Sequence, residues 1–244
     1  MSQQPLFPVR VRTLIPNATG SVDLRYFAVG EDGQEYAVKE ALPSNSELPA
    51  SEYLGYCLSA VCKVAVPTTA VLELPDGSLA LGSRFEGGVS GFAAMMPADQ
   101  LDALKQCSSE LSALLTLDVF IANDDRHANN FLQRRTAITR QYSMVAIDFS
   151  RGMFCGGFPI RPPVDIVAQG NTAQTINFMK AMKLWDNVRS HETVNYVNAV
   201  TVATYDQWVS AMPPAWVTAK VAGSVAWWGT SERSHRLQAT LGCV

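Results

Sequence analysis

Apolar residues recur at every second position in two early stretches, residues 22–29 and 35–39, with Glu31-Asp32-Gly33 between them. Alternation of this kind predicts two strands, and the turn residues join them as a hairpin. From Pro49 the period lengthens: Tyr53, Leu54, Cys57, Leu58 and Val61 fall on one helical face, and the pattern ends near Lys63. Residues 69–74 and 78–84 alternate again around Pro75-Asp76-Gly77, which predicts a second hairpin. Gly87-Gly88-Val89-Ser90-Gly91 then breaks the pattern.

Beyond that break the chain reads as mainly helical. Leu101, Leu104, Cys107, Leu111, Leu114 and Leu115 make the apolar face of one long helix running from Asp99 toward Phe120. A cluster of Asp and Asn follows, then a short hairpin of residues 131–132 against 144–147. Residues 151–170 are rich in Gly and Pro and read as a long loop, a length that more often marks function than filler. Residues 172–241 look helical in several short pieces. Together these elements predict one α+β domain of two lobes. A small antiparallel β lobe with one helix spans residues 12–88, and a larger, mainly helical lobe spans residues 89–244.

Composition narrows the setting. A chain of 244 residues with 48% hydrophobic positions can bury a substantial core. A net charge of −3 offers no broad basic field for nucleic acid or an acidic membrane surface. No stretch approaches the ~20 apolar residues of a bilayer span, and residues 1–11 lack a signal-like apolar run, so a cytoplasmic setting is the default. The five cysteines are scattered without a C-x-x-C pair and read as reduced structural thiols. His127, His191 and His235 are too dispersed for a metal cluster. Trp208, Trp216, Trp227 and Trp228 recur at helical spacings and read as core.

The chemistry concentrates between Ile121 and Phe149. Asn-Asp-Asp-Arg-His-Ala-Asn-Asn runs from Asn123 to Asn130, and Asp148 follows Asn130 by eighteen positions. Asp125 and Asn130 stand as D-x-x-x-x-N, the arrangement that phosphoryl transfer uses for a carboxylate facing an acceptor hydroxyl and an amide beside a magnesium ion. Asp148 and Asn130 offer the hard oxygens that Mg2+ prefers. A turn needs two or three such residues, not this many with Arg126 and His127 among them. Lys39, at the end of a strand, could meet phosphates as a point charge. Glu52 could pair with Lys39 or be a helix-start carboxylate favoured by the helix dipole. Gly20-Ser21 could cover phosphates with backbone N–H groups or be an ordinary turn. Arg126 neutralises the nearby carboxylates or docks the following loop, and His127 orients the loop backbone or packs.

These motifs resemble the HipA-like serine/threonine kinases and, more distantly, the phosphatidylinositol kinases. The matching pieces are Gly20-Ser21, Tyr36-Ala37-Val38-Lys39, Glu52-Tyr53-Leu54 with Val66-Pro67, Asn123 to Asn130, and Ile147-Asp148-Phe149. The resemblance implies a bilobal protein-kinase-like fold and an ATP- and Mg2+-dependent enzyme acting on a Ser/Thr hydroxyl of a protein. It implies Asp125 as the catalytic aspartate, with Asn130 and Lys39 beside it in the catalytic set. It also implies Asn130 and Asp148 as metal ligands, and residues 81–86, with Ser83, Phe85 and Glu86, as the hinge that receives adenine. An antitoxin-type partner would follow from the toxin members of that family. The residues leave open a lipid or small-molecule kinase and an inactive binding module of the same fold. Ser150 opens the loop after Asp148 beside Arg151 and Arg161, either as an autophosphorylation site or as an unmodified surface serine.

Overall fold

The computed structural model describes residues 8–18, 23–85 and 87–244. Its β part is a closed barrel of five strands: β1 (Val9–Pro16), β2 (Tyr26–Gly30), β3 (Glu35–Lys39), β4 (Thr69–Glu73) and β5 (Leu79–Arg84), in the order β1-β2-β3-β5-β4. Between β3 and β4 lies helix α1 (Leu48–Val61). The two predicted hairpins are present, since β2 pairs with β3 and β4 with β5, both antiparallel. The closing strand β1 was not predicted. It pairs antiparallel with β2 and, through Val9 and Arg10, parallel with β4. Closure removes the open edges a small sheet would otherwise expose. Val9, Val11 and Leu14 of β1 pack on the barrel's own small core of Ala28, Tyr36, Val38, Leu72, Leu74 and Ala80.

The remainder is mostly helical, with one three-stranded sheet. Strand β6 (Val89–Gly91) lies where the sequence shows only a pattern break, and it pairs with β7 (Phe131–Arg135), which pairs in turn with β8 (Tyr142–Ala146). The single helix expected from Asp99 is two, α2 (Pro97–Gln106) and α3 (Ser108–Ile121), divided at Cys107. The loop after Asp148 contains a short helix, α4 (Pro163–Ala168). Five further helices follow: α5 (Asn171–Ala181), α6 (Asn187–Ala199), α7 (Val202–Ser210), α8 (Ala219–Trp228) and α9 (Ser231–Cys243).

Helix α3 organises the main core. Every residue from Leu111 to Ile121 is buried, so the helix is covered on all sides rather than along one stripe. Helix α1 belongs to the same core, which ties the barrel side to the helices. Trp216 and Trp228 are fully buried in it, and Trp228 stacks on Tyr205 at 4.1 Å. No helix among the described residues is long and apolar enough to cross a membrane.

Candidate active site

Helix α3 ends abruptly. Ala122 takes the left-handed conformation at φ 60°, and the Asn123 N–H donates back to the Asp118 carbonyl at 2.8 Å. The turned chain becomes the polar loop, and a buried ion pair holds it. Arg126 and Asp118 are both fully buried, with Nε–Oδ2 at 2.8 Å and Nη2–Oδ1 at 3.0 Å. Asn123 donates its amide to the same carboxylate at 2.8 Å. The other end of the Arg126 guanidinium donates to the carbonyls of Asn130 (2.8 Å) and Ile147. Its face lies 4.6 Å from the Phe149 ring centroid. One side chain thereby fixes the backbone beside both proposed cation ligands. Burial pushes the Arg126 pKa down, but Asp118 more than reverses this, so the group ends above the ordinary arginine value.

Asn130 and Asp148 flank the open end of the β7–β8 hairpin, one just before β7 and the other just after β8. The Asn130 side-chain nitrogen donates to the Asp125 carbonyl at 2.8 Å. Only an NH2 can face a carbonyl, so the amide oxygen is the end left to offer a ligand. Asp148 adopts φ 64°, a left-handed conformation that Asp tolerates better than most residues. Its Oδ1 takes Lys39 Nζ at 2.9 Å and the Ser150 hydroxyl at 2.7 Å. Both bonds land on Oδ1, and among the described residues Oδ2 takes no hydrogen bond. Burial raises the Asp148 carboxyl, but Lys39, Ser150 and Arg126 bring it down to about 2. For Lys39, burial lowers the pKa, while Glu52 and Asp148 together carry it above the ordinary lysine value.

Glu52 corrects one expectation. The Lys39 ammonium is engaged by Asp148, not by Glu52. Glu52 is completely buried on α1 and accepts from the Phe149 N–H and the Tyr56 hydroxyl, both at 2.6 Å. Its field still acts on Lys39, but its bonds hold the backbone next to Asp148. Burial raises its carboxyl above the ordinary value. Gly55, one turn along α1, permits this docking: a Cβ there would lie 2.4 Å from the Phe149 Cβ.

Lys39, Glu52, Ser83, Phe85 and Asp148 line one cavity of ≈ 350 Å³, roofed by the barrel and floored by Leu132 and Ile147. Asp125 and Asn130 lie outside that lining, on the loop beside it. Gly20, Ser21 and Glu86 lie outside the described residues. Ser150 is buried, with its hydroxyl within 3.1 Å of Asp23 Oδ2 as well as near Asp148. A phosphate there would face two carboxylates, so the structure argues against autophosphorylation at Ser150. His127 caps the short 3-10 turn Ala128–Asn130, its Nδ1 accepting from the Asn129 N–H at 3.2 Å.

Three contributors escaped the sequence reading. Asp118 had a signal, as the lone carboxylate in the apolar run from Leu111 to Ile121. Asn171, at the start of α5, donates to Asp125 Oδ1 at 2.6 Å, and nothing in its sequence setting separates it from an ordinary helix start. Neighbouring Thr172 is buried, taking the Arg126 N–H and donating to the Asn123 carbonyl at 2.7 Å. Gly170, at φ 93°, lets this helix start close on the loop, since a Cβ would lie 2.7 Å from the Asp124 carbonyl oxygen.

No protein-family model matches the sequence, and no curated protein is significantly similar to it. Solved structures do match. One is the Helicobacter pylori proinflammatory kinase CtkA, with a TM-score of 0.60 and 11% sequence identity over 96% of this chain and 97% of that one. The fold is kinase-like. At that identity the likeness covers architecture across nearly the whole chain and leaves the chemistry to the residues themselves.

Proposed function

We propose that the protein is an ATP- and Mg2+-dependent phosphotransferase of the HipA-like kind, acting on a Ser or Thr hydroxyl of a protein. In this reading residues 12–88 and 89–244 are the two lobes, and nucleotide lies between them. The observation that carries it is the Lys39–Asp148 ion pair, 2.9 Å long between residues 109 positions apart, placed in the wall of a nucleotide-sized cavity.

The donor set fits a magnesium nucleotide. Asp148 Oδ2 and the Asn130 amide oxygen are uncommitted hard donors, and Mg2+ is usually held by one or two carboxylates together with phosphate oxygens. Bound there, the magnesium nucleotide supplies the electrophilic γ-phosphorus. Lys39 places a positive charge beside the phosphates, and Ser83 and Phe85 line the part of the cavity assigned to adenine. Asp125 has its Oδ1 held by Asn171, so Oδ2 accepts the proton of the acceptor hydroxyl. As that proton leaves, the acceptor oxygen bonds to phosphorus and the bond from phosphorus to the ADP oxygen breaks.

Calorimetry and a transfer assay test this together. ATP with Mg2+ should stabilise the protein by about 2.7 kcal/mol at a hundredfold excess over Kd. Asp125→Ala should keep nucleotide affinity within a few fold while transfer of labelled phosphate to lysate proteins falls on the order of 10² or more. A wild-type protein that gains no stability from ATP and Mg2+ overturns the reading.

A further inference from the structure

A second cavity, of ≈ 410 Å³, lies across β7 from the first and contains none of the nucleotide-side residues. Adjacent strand residues point to opposite faces, and β7 uses this: Phe131 lines the second cavity and Leu132 the first. The apolar walls of the second are Phe92, Leu101, Leu104, Leu111, Phe131 and Phe178, and among the described residues no Asp, Glu, Lys or Arg lines it. Met96 (70% exposed), Phe178 (46%) and Met182 (44%) leave large apolar side chains uncovered on the adjoining α2 and α5 segments. Phe178 both lines the cavity and stays exposed, Met96 directly precedes the lining residue Pro97, and Met182 stands one helical turn past Phe178. Single exposed apolar residues are ordinary, whereas apolar surface adjoining an apolar cavity marks a binding surface.

The cavity also reaches the chemistry. Asn171 lines it, and the same Asn171 donates to Asp125 Oδ1 at 2.6 Å; His127, two residues past Asp125, lines it as well. An extended chain advances about 3.3–3.6 Å per residue, so a peptide with a side chain in this cavity can bring a residue a few positions away past Asn171 to Asp125. Eight apolar residues line the cavity against Gln100, His127, Asn171, Gln174 and Thr175, so an apolar side chain matches it better than a polyol or an anionic headgroup.

Resting on the kinase reading above, we propose that this cavity is the acceptor-specificity site. It takes a large uncharged apolar side chain of the polypeptide substrate, within three residues of the phosphorylated Ser or Thr. The cavity thus selects which hydroxyls reach Asp125, independently of nucleotide binding.

The test is a positional-scanning peptide library with one fixed Ser or Thr, incubated with labelled ATP and Mg2+. Leu, Ile, Met or Phe at one position near the hydroxyl should be preferred at least tenfold over Asp, Glu or Lys. Phe178→Glu should abolish that preference and favour Lys or Arg, with ATP affinity by calorimetry unchanged. Gln174→Glu, on the exposed rim of the same cavity, should move selectivity the same way should Phe178→Glu fold poorly. Labelling without positional preference, or preference that neither variant alters, overturns this inference and leaves the kinase reading standing. ATP binding with no peptide labelled, or with a lipid or small metabolite labelled instead, overturns this inference together with the protein-substrate part of that reading and leaves nucleotide binding standing. Failure of the wild type to bind ATP overturns both.

Discussion

Two of the ion pairs at the candidate site, Arg126–Asp118 and Lys39–Asp148, differ in their access to solvent. Arg126 and Asp118 are both fully buried, and the pair is surrounded by further bonds to Asn123 and to the carbonyls of Asn130 and Ile147. Lys39 and Asp148 are closed on the lysine side, but the Asp148 side chain remains 28% exposed and its Oδ2 takes no hydrogen bond among the described residues. Burying charge is costly, so a sealed pair persists where its geometry satisfies every donor and acceptor. The sealed pair holds backbone. The open pair can exchange partners with a ligand. Solvent access thus divides the work of holding from the work of binding.

The largest effect should come from breaking the sealed pair. Arg126→Ala leaves the Asp118 carboxylate buried without its counter-ion and should cost about 3–5 kcal/mol in urea unfolding. The double variant Asp118→Leu/Arg126→Met should recover part of that by removing the uncompensated charge, while the Asn123 amide and the Ile147 carbonyl still lose their partners. A double variant as unstable as the single would mean that the pair is not what secures the loop.

The open pair predicts a pH effect. Asp148 has its carboxyl lowered from 3.8 to about 2, so it contributes stability above about pH 4 that is lost as the pH falls toward 2. That contribution is about 2 kcal/mol at neutral pH. Glu52, with its carboxyl raised, acts in the opposite sense, favouring the fold at low pH and losing that contribution as the pH rises through its raised value. In Asp148→Asn the acid limb between about pH 4 and 2 should flatten, read as the thermal midpoint against pH. An unchanged limb would assign the acid sensitivity to other groups.

Gly55→Ala gives the smallest change and the sharpest separation. The new methyl would meet the Phe149 Cβ at 2.4 Å. Overpacking of about 1–3 kcal/mol should outweigh the ~1 kcal/mol that alanine gains in a helix interior. Phe149 adjoins Asp148, so stabilisation by ATP and Mg2+ should shrink while neither ion pair has lost a member. A variant more stable than wild type with full nucleotide response would show that the close approach relaxes freely.

Much of this was legible in the sequence. Asp125 and Asn130 stood out because the loop between two apolar runs carries more polar groups than a turn needs, Asp148 because it follows at a set spacing within Ile147-Asp148-Phe149, and Lys39 because it ends a strand ahead of them. Both barrel hairpins followed from period and turn residues. The rest was decided by distant partners. Val9-Arg10-Val11-Arg12 alternates visibly, yet the parallel pairing of β1 with β4 that closes the barrel joins residues far apart in the chain. Whether Lys39 meets Glu52 or Asp148 depends on the Phe149 N–H, which claims Glu52 through α1. The division of α2 from α3 at Cys107 left no trace, because Cys107 is itself buried on the apolar face.

The β7–β8 hairpin recasts the interval between Asn130 and Asp148. Phe131 pairs with Ala146, and the Ile147 N–H donates to the Asn130 carbonyl at 3.1 Å, so Asn130 and Asp148 flank the hairpin's open end. The far end is a turn around Ile138, which is 93% exposed. Paired residues could be added in register on both strands, or a loop grafted at the turn, without changing the distance across the base. The eighteen-residue interval is therefore a length of hairpin and no requirement of the chemistry. The turn is accordingly the place on this chain to insert a tag or a reporter domain while keeping the site intact.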